Sequence, residues 1–200
     1  MIKLTLDVDK VHLAENLLAD SPKQLRIAAS QAINRTITTI RSKASVIIRE
    51  RYTIAAKNIK PAINIKRAMK SSLEGAVIGR SSPLPLSAFK LTPNPEKVIS
   101  SLRAGKTGMR GKVIRVQVLK GKGSTPVKGL FIQKSSRSNY AGPMLRYLKT
   151  AYPLRIPYGP SIPQMLGNEL TIEKLVPLAE ETLNKRFLHE VEIRYEKGLK

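Results

Sequence analysis

The sequence predicts an α+β fold: a long N-terminal helix and a C-terminal helix packed on a mainly antiparallel sheet of about five strands, with Gly-rich loops and a Pro-rich extended arm. Three observations point there. Aliphatic residues recur at helical spacing over some thirty residues near the start and again near the end. Between these stretches lie short β-branched or alternating runs punctuated by Gly, Pro and Ser. No internal repeat divides the 200 residues, so they read as a single domain with length enough for a real core.

Residues 1–20 open with Lys3–Val8, which alternates as a short strand does, and continue as a linker. Residues 21–52 form the long helix. Ser21-Pro22-Lys23-Gln24 places a capping hydroxyl first, Pro at the first helical position and Gln three residues after the cap. Leu25, Ala28, Ala29, Ala32, Ile33, Thr36, Ile40, Ala44, Ile47, Ile48 and Arg51 then recur at helical spacing. Lys23, Arg26, Arg41, Lys43 and Arg49 take the other face.

Residues 61–135 supply the sheet, with strands expected at Ile63–Met69, Leu73–Gly79, Leu86–Leu91, Val113–Leu119 and Gly129–Gln133. Ser100–Gly111, with three glycines, and Lys120–Lys128 read as long basic loops. Residues 140–166 form the arm, because five prolines between Tyr140 and Pro163 prevent a helix through most of that segment. Residues 168–197 form the last helix. Asn168 is its expected cap, Leu175, Val176, Leu183, Phe187, Leu188 and Val191 its apolar positions, and Pro177 a kink or its true start.

Charge is distributed very unevenly along the chain. Ser21–Asn168 carries 28 Lys and Arg against Glu50, Glu74 and Glu96, and the 72 residues from Lys97 to Asn168 contain no carboxylate. The net charge of +22 is therefore one positive body with nearly neutral ends. Such a body repels itself and calls for a polyanion, of which nucleic acid is the commonest. The candidate DNA-facing residues are Lys106, Arg110, Lys112, Arg115, Lys120, Lys122, Lys128, Lys134 and Arg137, which would bind phosphate by charge without reading sequence. Tyr140, Tyr147, Tyr152 and Tyr158, interleaved with Arg146, Lys149 and Arg155, fit packing of the arm better than stacking on bases.

Other chemistries find little support. The chain has no cysteine, hence no disulfide and no thiolate metal site, which suits a reducing cytoplasm. His12 and His189 lie far apart, without metal-ligand spacing, so neither a metal nor another cofactor is expected. The acids of the body are too scattered to suggest paired carboxylates for catalysis. Gly105-Lys106-Thr107 resembles the end of a phosphate-binding loop, but Ser100 stands where the first glycine is needed. No apolar run approaches a membrane span, and no membrane partner is expected. With only three Phe, six Tyr and no Trp, the core must be aliphatic.

Several segments together resemble the minor tail protein Z family of tailed bacteriophages, the tail completion proteins of long-tailed phages and prophages. They are Ala32-Ile33-Asn34-Arg35-Thr36 with Arg49-Glu50-Arg51-Tyr52, then Pro83-Leu84-Pro85-Leu86-Ser87-Ala88-Phe89, then Val113–Leu119 with Gly129-Leu130-Phe131-Ile132. The fourth, and the most specific, is Leu154 to Leu166, with Tyr158-Gly159-Pro160-Ser161 at its centre. Leu84 stands where the family usually has isoleucine. In order, and with the final helix into which the last segment leads, the resemblance covers about Ala28 to Glu190.

The resemblance implies a non-enzymatic structural virion protein acting at the head-proximal end of the tail, assembled in the host cytoplasm. It further implies a homo-oligomeric ring around the DNA channel. Its partners would be the tail tube or tail terminator, connector proteins and double-stranded DNA. Tyr152, Pro157, Tyr158, Gly159, Pro160 and Ser161 of the arm, and Glu180 and Glu181 of the last helix, are the expected subunit contacts. A freestanding, sequence-independent nucleic-acid-binding protein is the alternative that the charge pattern leaves open.

Overall fold

The computed structural model describes residues 2–3, 22–103, 113–134, 140–146 and 153–198. The first elements in chain order are β1 (Ile2–Lys3), α1 (Pro22–Arg51), α2 (Ala56–Ile59), β2 (Ile63–Lys66), β3 (Ala76–Gly79), β4 (Lys90–Thr92) and α3 (Pro95–Arg103). They are followed by β5 (Arg115–Gln117), β6 (Thr125–Pro126), β7 (Leu130–Lys134), β8 (Ala141–Arg146), β9 (Leu154–Arg155), α4 (Ile162–Leu166) and α5 (Glu169–Gly198). The fold mixes helix and sheet, as expected. The strands, however, form three small antiparallel sheets, β1-β3-β2, β4-β5-β6 and β7-β8-β9, where one sheet of about five strands was expected. The chain divides into two compact units. One comprises Met1–Ile48, Lys60–Arg80 and Pro163–Lys200; the other comprises Arg49–Ile59 and Ser81–Ile162.

In the first unit, α1 buries Ala28, Ala32, Thr36, Ile40 and Ala44, with Ala29, Ile33 and Ile37 beside them. Two adjacent rows at four-residue spacing make one broad apolar face. Ile37 belongs to that face although the expected stripe omitted it. In α5 the corresponding row is Thr171, Leu175, Ala179, Leu183, Phe187 and Val191. The hairpin β2–β3 pairs Ile63 with Gly79 and Lys66 with Ala76. Its loop lies close against α1 at Gly75, where an added Cβ would stand 2.4 Å from Ile33 Cγ2.

Pro177 does not start α5, since it lies inside a helix that runs from Glu169 to Gly198. Pro177 and Glu173, the residue four positions earlier whose carbonyl loses its donor, are both exposed, so water can satisfy that carbonyl. Asn168 does precede the helix, but it caps through its main chain. Its carbonyl accepts from the Thr171 and Ile172 N–H groups at 2.9 and 3.0 Å, while its buried Oδ1 has no partner. Ser21 lies outside the described residues.

In the second unit the core gathers Leu91, Val98, Ile114, Val116, Leu130 and Ile132. Much of the expected arm is built into this unit. β8 pairs along its length with β7, placing Pro143 opposite Ile132, and β9 adds at Leu145 and Arg146. The chain after it pairs with an earlier segment: Leu86 N–H donates to the Pro157 carbonyl at 2.9 Å, and Gly159 N–H to the Leu84 carbonyl at 2.7 Å. Gly159 must be small there, because an added Cβ would meet Phe89 Cε2 at 2.7 Å. Two of the segments that carry the family resemblance thus hold one another.

Candidate nucleic-acid interface

Among the described residues the second unit holds thirteen Lys and Arg against two acids, Glu50 and Glu96, so it is strongly positive. Its β4-β5-β6 sheet sorts side chains by alternation. Leu91 and Val116 lie opposite one another and face the core; Lys90, Thr92 and Arg115 are exposed on the other face. Lys90 pairs with Gln117 and Thr92 with Arg115, so Lys90 and Arg115 are diagonal neighbours. That relation puts them about 7–8 Å apart.

A turn extends the same basic surface beyond β5. Lys120 and Lys122 flank Gly121, whose φ of 80° is a left-handed conformation that glycine adopts without steric cost. The turn is anchored twice: Lys120 N–H donates to the Arg51 carbonyl at 2.6 Å, and the Gln117 side-chain amide donates to the Lys122 carbonyl at 2.9 Å. Lys128 is exposed in the next turn, just before Gly129, which also has a positive φ.

Thr53 fastens these pieces together. Its N–H donates to the Val118 carbonyl at 2.9 Å, and its hydroxyl donates to the carbonyls of Gln117 and Val118. The same hydroxyl oxygen accepts from Lys90 N–H at 3.3 Å. One side chain therefore binds the residues after α1 to both strands that present Lys90 and Arg115. Tyr52 bridges to Leu119 beside it, and the Arg51 guanidinium lies 6.0 Å from the Tyr52 ring centroid. A surface that must hold several like charges in register needs such backbone anchoring, because the charges themselves push it apart.

Of the expected DNA-facing residues, Arg115, Lys120, Lys122 and Lys128 are exposed in this unit, the first three on the sheet and its adjoining turn. Lys134 lies on β7, on a different sheet. Lys106, Arg110, Lys112 and Arg137 lie outside the described residues. Sequence reasoning missed Lys90, although Phe89-Lys90-Leu91-Thr92 alternates buried and exposed and carried the signal.

The expected subunit contacts divide in a similar way. Tyr152 lies outside the described residues. Pro157, Gly159 and Pro160 are partly buried and Ser161 is buried, the first two holding the Leu84–Leu86 segment, while the Tyr158 side chain is 60% exposed. Glu180 and Glu181 are exposed on α5. Among the described residues no group of three or more His, Cys, Asp or Glu comes together as a metal site, and no helix is long and apolar enough to cross a membrane.

Comparison with known proteins finds no matching family model, curated protein or solved structure.

Proposed function

We propose that this chain is a structural, non-enzymatic virion protein that completes the head-proximal end of a phage tail and helps to join tail to head and position the DNA end. In this reading it assembles as a ring around the DNA channel. The observation that carries the reading is the one-signed outer face of β4-β5-β6, where Lys90, Arg115, Lys120 and Lys122 stand on an anchored framework with no acid beside them in the pairing. A face of that kind suits sliding contact with phosphates of any sequence. The resemblance of Ala32–Thr36, Pro83–Phe89 and Leu154–Leu166 to tail completion proteins supplies the rest. Pairing of the second and third of these segments is consistent with their acting as one structural feature.

Because Pro157 and Gly159 already use backbone groups within the chain, the exposed Tyr158 ring is, among the described residues of the expected arm contacts, the one that would meet a neighbouring subunit. Glu180 and Glu181 would meet the basic body of the next copy in a head-to-tail contact. Light scattering across a salt series, with and without duplex DNA, tests the proposal. A discrete oligomer at moderate salt that is weakened by E180K/E181K supports the ring. A monomer that coats DNA at stoichiometric density would instead favour a freestanding nucleic-acid-binding protein.

A further inference from the structure

The first unit contains a second basic feature, separate in sequence and in kind from the sheet of Lys90 and Arg115. Gln31, Asn34, Arg35, Thr38 and Thr39 of α1, Arg67 after β2 and Arg186 of α5 line an open groove of about 640 Å³. Two side-chain locks bring its three arginines together. Asn34 makes a paired contact with the main chain of Ala68: its amide donates to the carbonyl at 3.0 Å and its oxygen accepts from the N–H at 2.9 Å. That fixes Arg67, one residue earlier, beside Arg35. Glu190, with its side chain only 2% exposed, meets Arg35 Nη1 at 2.6 Å and Arg194 Nη1 at 2.8 Å. That fixes the turn of α5 carrying Arg186 against the same stretch of α1.

The donors left over point to the ligand. Arg35 keeps half of its side chain exposed while it pairs with Glu190, and five N–H groups are available to each guanidinium. Arg67 and Arg186 are exposed and have no partner among the described residues. Gln31 accepts from Arg194 Nη2 at 2.8 Å through Oε1, which leaves its amide N–H groups as donors. Thr38 and Thr39 direct their hydroxyl protons to the Asn34 and Arg35 carbonyls at 2.9 and 3.1 Å, and so contribute acceptors. A carboxylate offers two oxygens in one plane, enough for the two guanidinium groups that Glu190 serves. A phosphate presents tetrahedrally arranged oxygens and accepts from forks that approach from several directions.

We propose that this groove is a phosphate-binding site, held by Arg35, Arg67 and Arg186 with the Gln31 amide, taking the phosphate of a nucleic-acid backbone or of a free nucleotide. Its volume leaves room for the group attached to the phosphate. The site does not depend on the tail-completion reading, and it can fail without affecting the β4-β5-β6 surface.

The test uses the full chain and R67A/R186A, which leaves both locks untouched, with R67K/R186K as a charge-preserving companion. Binding of inorganic phosphate, a nucleoside monophosphate and a short duplex oligonucleotide is measured by calorimetry at matched ionic strength. Thermal melting in chloride checks the fold of each variant. The expected result is at least a tenfold loss of affinity in R67A/R186A for one or more of these probes, with melting in chloride unchanged and R67K/R186K intermediate. Loss for phosphate and the monophosphate identifies a free ligand; loss for the duplex alone, beyond that of K90A/R115A, identifies the backbone. Unaltered binding of all three probes in R67A/R186A overturns the proposal. So does wild-type binding by R67K/R186K, or binding of a polyglutamate peptide as tight as that of any phosphate probe.

Discussion

Replacing Lys90, Arg115, Lys120 and Lys122 together by alanine should change the salt dependence of DNA binding by a calculable amount. All four are exposed, and the hydrogen bonds that hold their backbone come from Thr53, Gln117 and the Arg51 carbonyl, so the framework survives the substitution. Each phosphate neutralised on duplex DNA contributes about −0.9 to the slope of log K against log salt. Four lost contacts therefore flatten the slope by about 3.6 units. Between about 50 and about 200 mM salt the wild-type affinity should fall roughly 150-fold further than that of the variant. Fluorescence anisotropy on a labelled duplex, repeated with an unrelated sequence, measures both slopes. A change smaller than about one unit would mean that fewer than two of these residues meet phosphate. The sheet face would then be a solvated surface, and the argument from its charge would collapse.

Glu190→Gln removes the carboxylate between Arg35 and Arg194. Breaking a buried pair costs about 3–5 kcal/mol, and the exposure of Arg35 reduces this to about 2–4 kcal/mol. Thermal melting should fall by about 5–15 °C, and a fall under about 2 °C would show that the guanidinium groups find water instead. Gly75→Ala brings a methyl to 2.4 Å from Ile33 Cγ2 inside the core and should cost about 1–3 kcal/mol in denaturant unfolding. The same change at Gly123, where an added Cβ meets nothing within 4 Å, provides a control close to zero. Burial pushes the Tyr140 phenol above its ordinary value, with Tyr158 adding to the shift and the Ser87 hydrogen bond opposing it. The folded state thus favours neutral tyrosine. That stabilisation is full below about pH 10 and is lost as pH rises through the higher folded value. Tyr140→Phe should remove this alkaline component from a stability–pH profile, and an unchanged profile would refute the assignment.

Which features could be read from the sequence followed from how many residues each needs to declare itself. Thirty-residue helices repeat their pattern many times, so α1 and α5 were legible to within a residue or two of their ends. Strands of two or three residues, such as β6 and β9, are too short to alternate. In β8, Pro143 read only as part of an extended arm, yet Gly142 and Pro143 are buried opposite β7. α3 is a different case, since its signal was present. Asn94-Pro95-Glu96 has a capping side chain followed by proline, as Ser21-Pro22 does, and Asn94 Oδ1 accepts from Glu96 N–H at 2.9 Å. The glycines of Ser100–Gly111 drew the last residues of α3, Ser100–Arg103, into an expected loop. The groove was illegible for another reason: Arg35, Arg67 and Arg186 are distant in sequence, and they meet through the packing of the first unit together with the contacts of Asn34 and Glu190.

Those two contacts also separate what the fold requires from what it merely permits. Glu190 is a charged group held where an aliphatic residue could serve stability as well, since a buried ion pair is seldom better than a packed hydrophobic substitute of the same volume. Asn34 satisfies the N–H and carbonyl of buried Ala68. Thr53 acts likewise in the other unit, where its hydroxyl ties Lys90 to the strand that bears Arg115. In each case the polar lock fixes the backbone from which exposed cations project. Cations left on freely moving chain would spread apart, and each would neutralise an anion independently. Held at fixed spacing, they act on one ligand together. On the proposed reading, these locks serve phosphate recognition, because they hold at fixed spacing the exposed arginine and lysine side chains that would bind it.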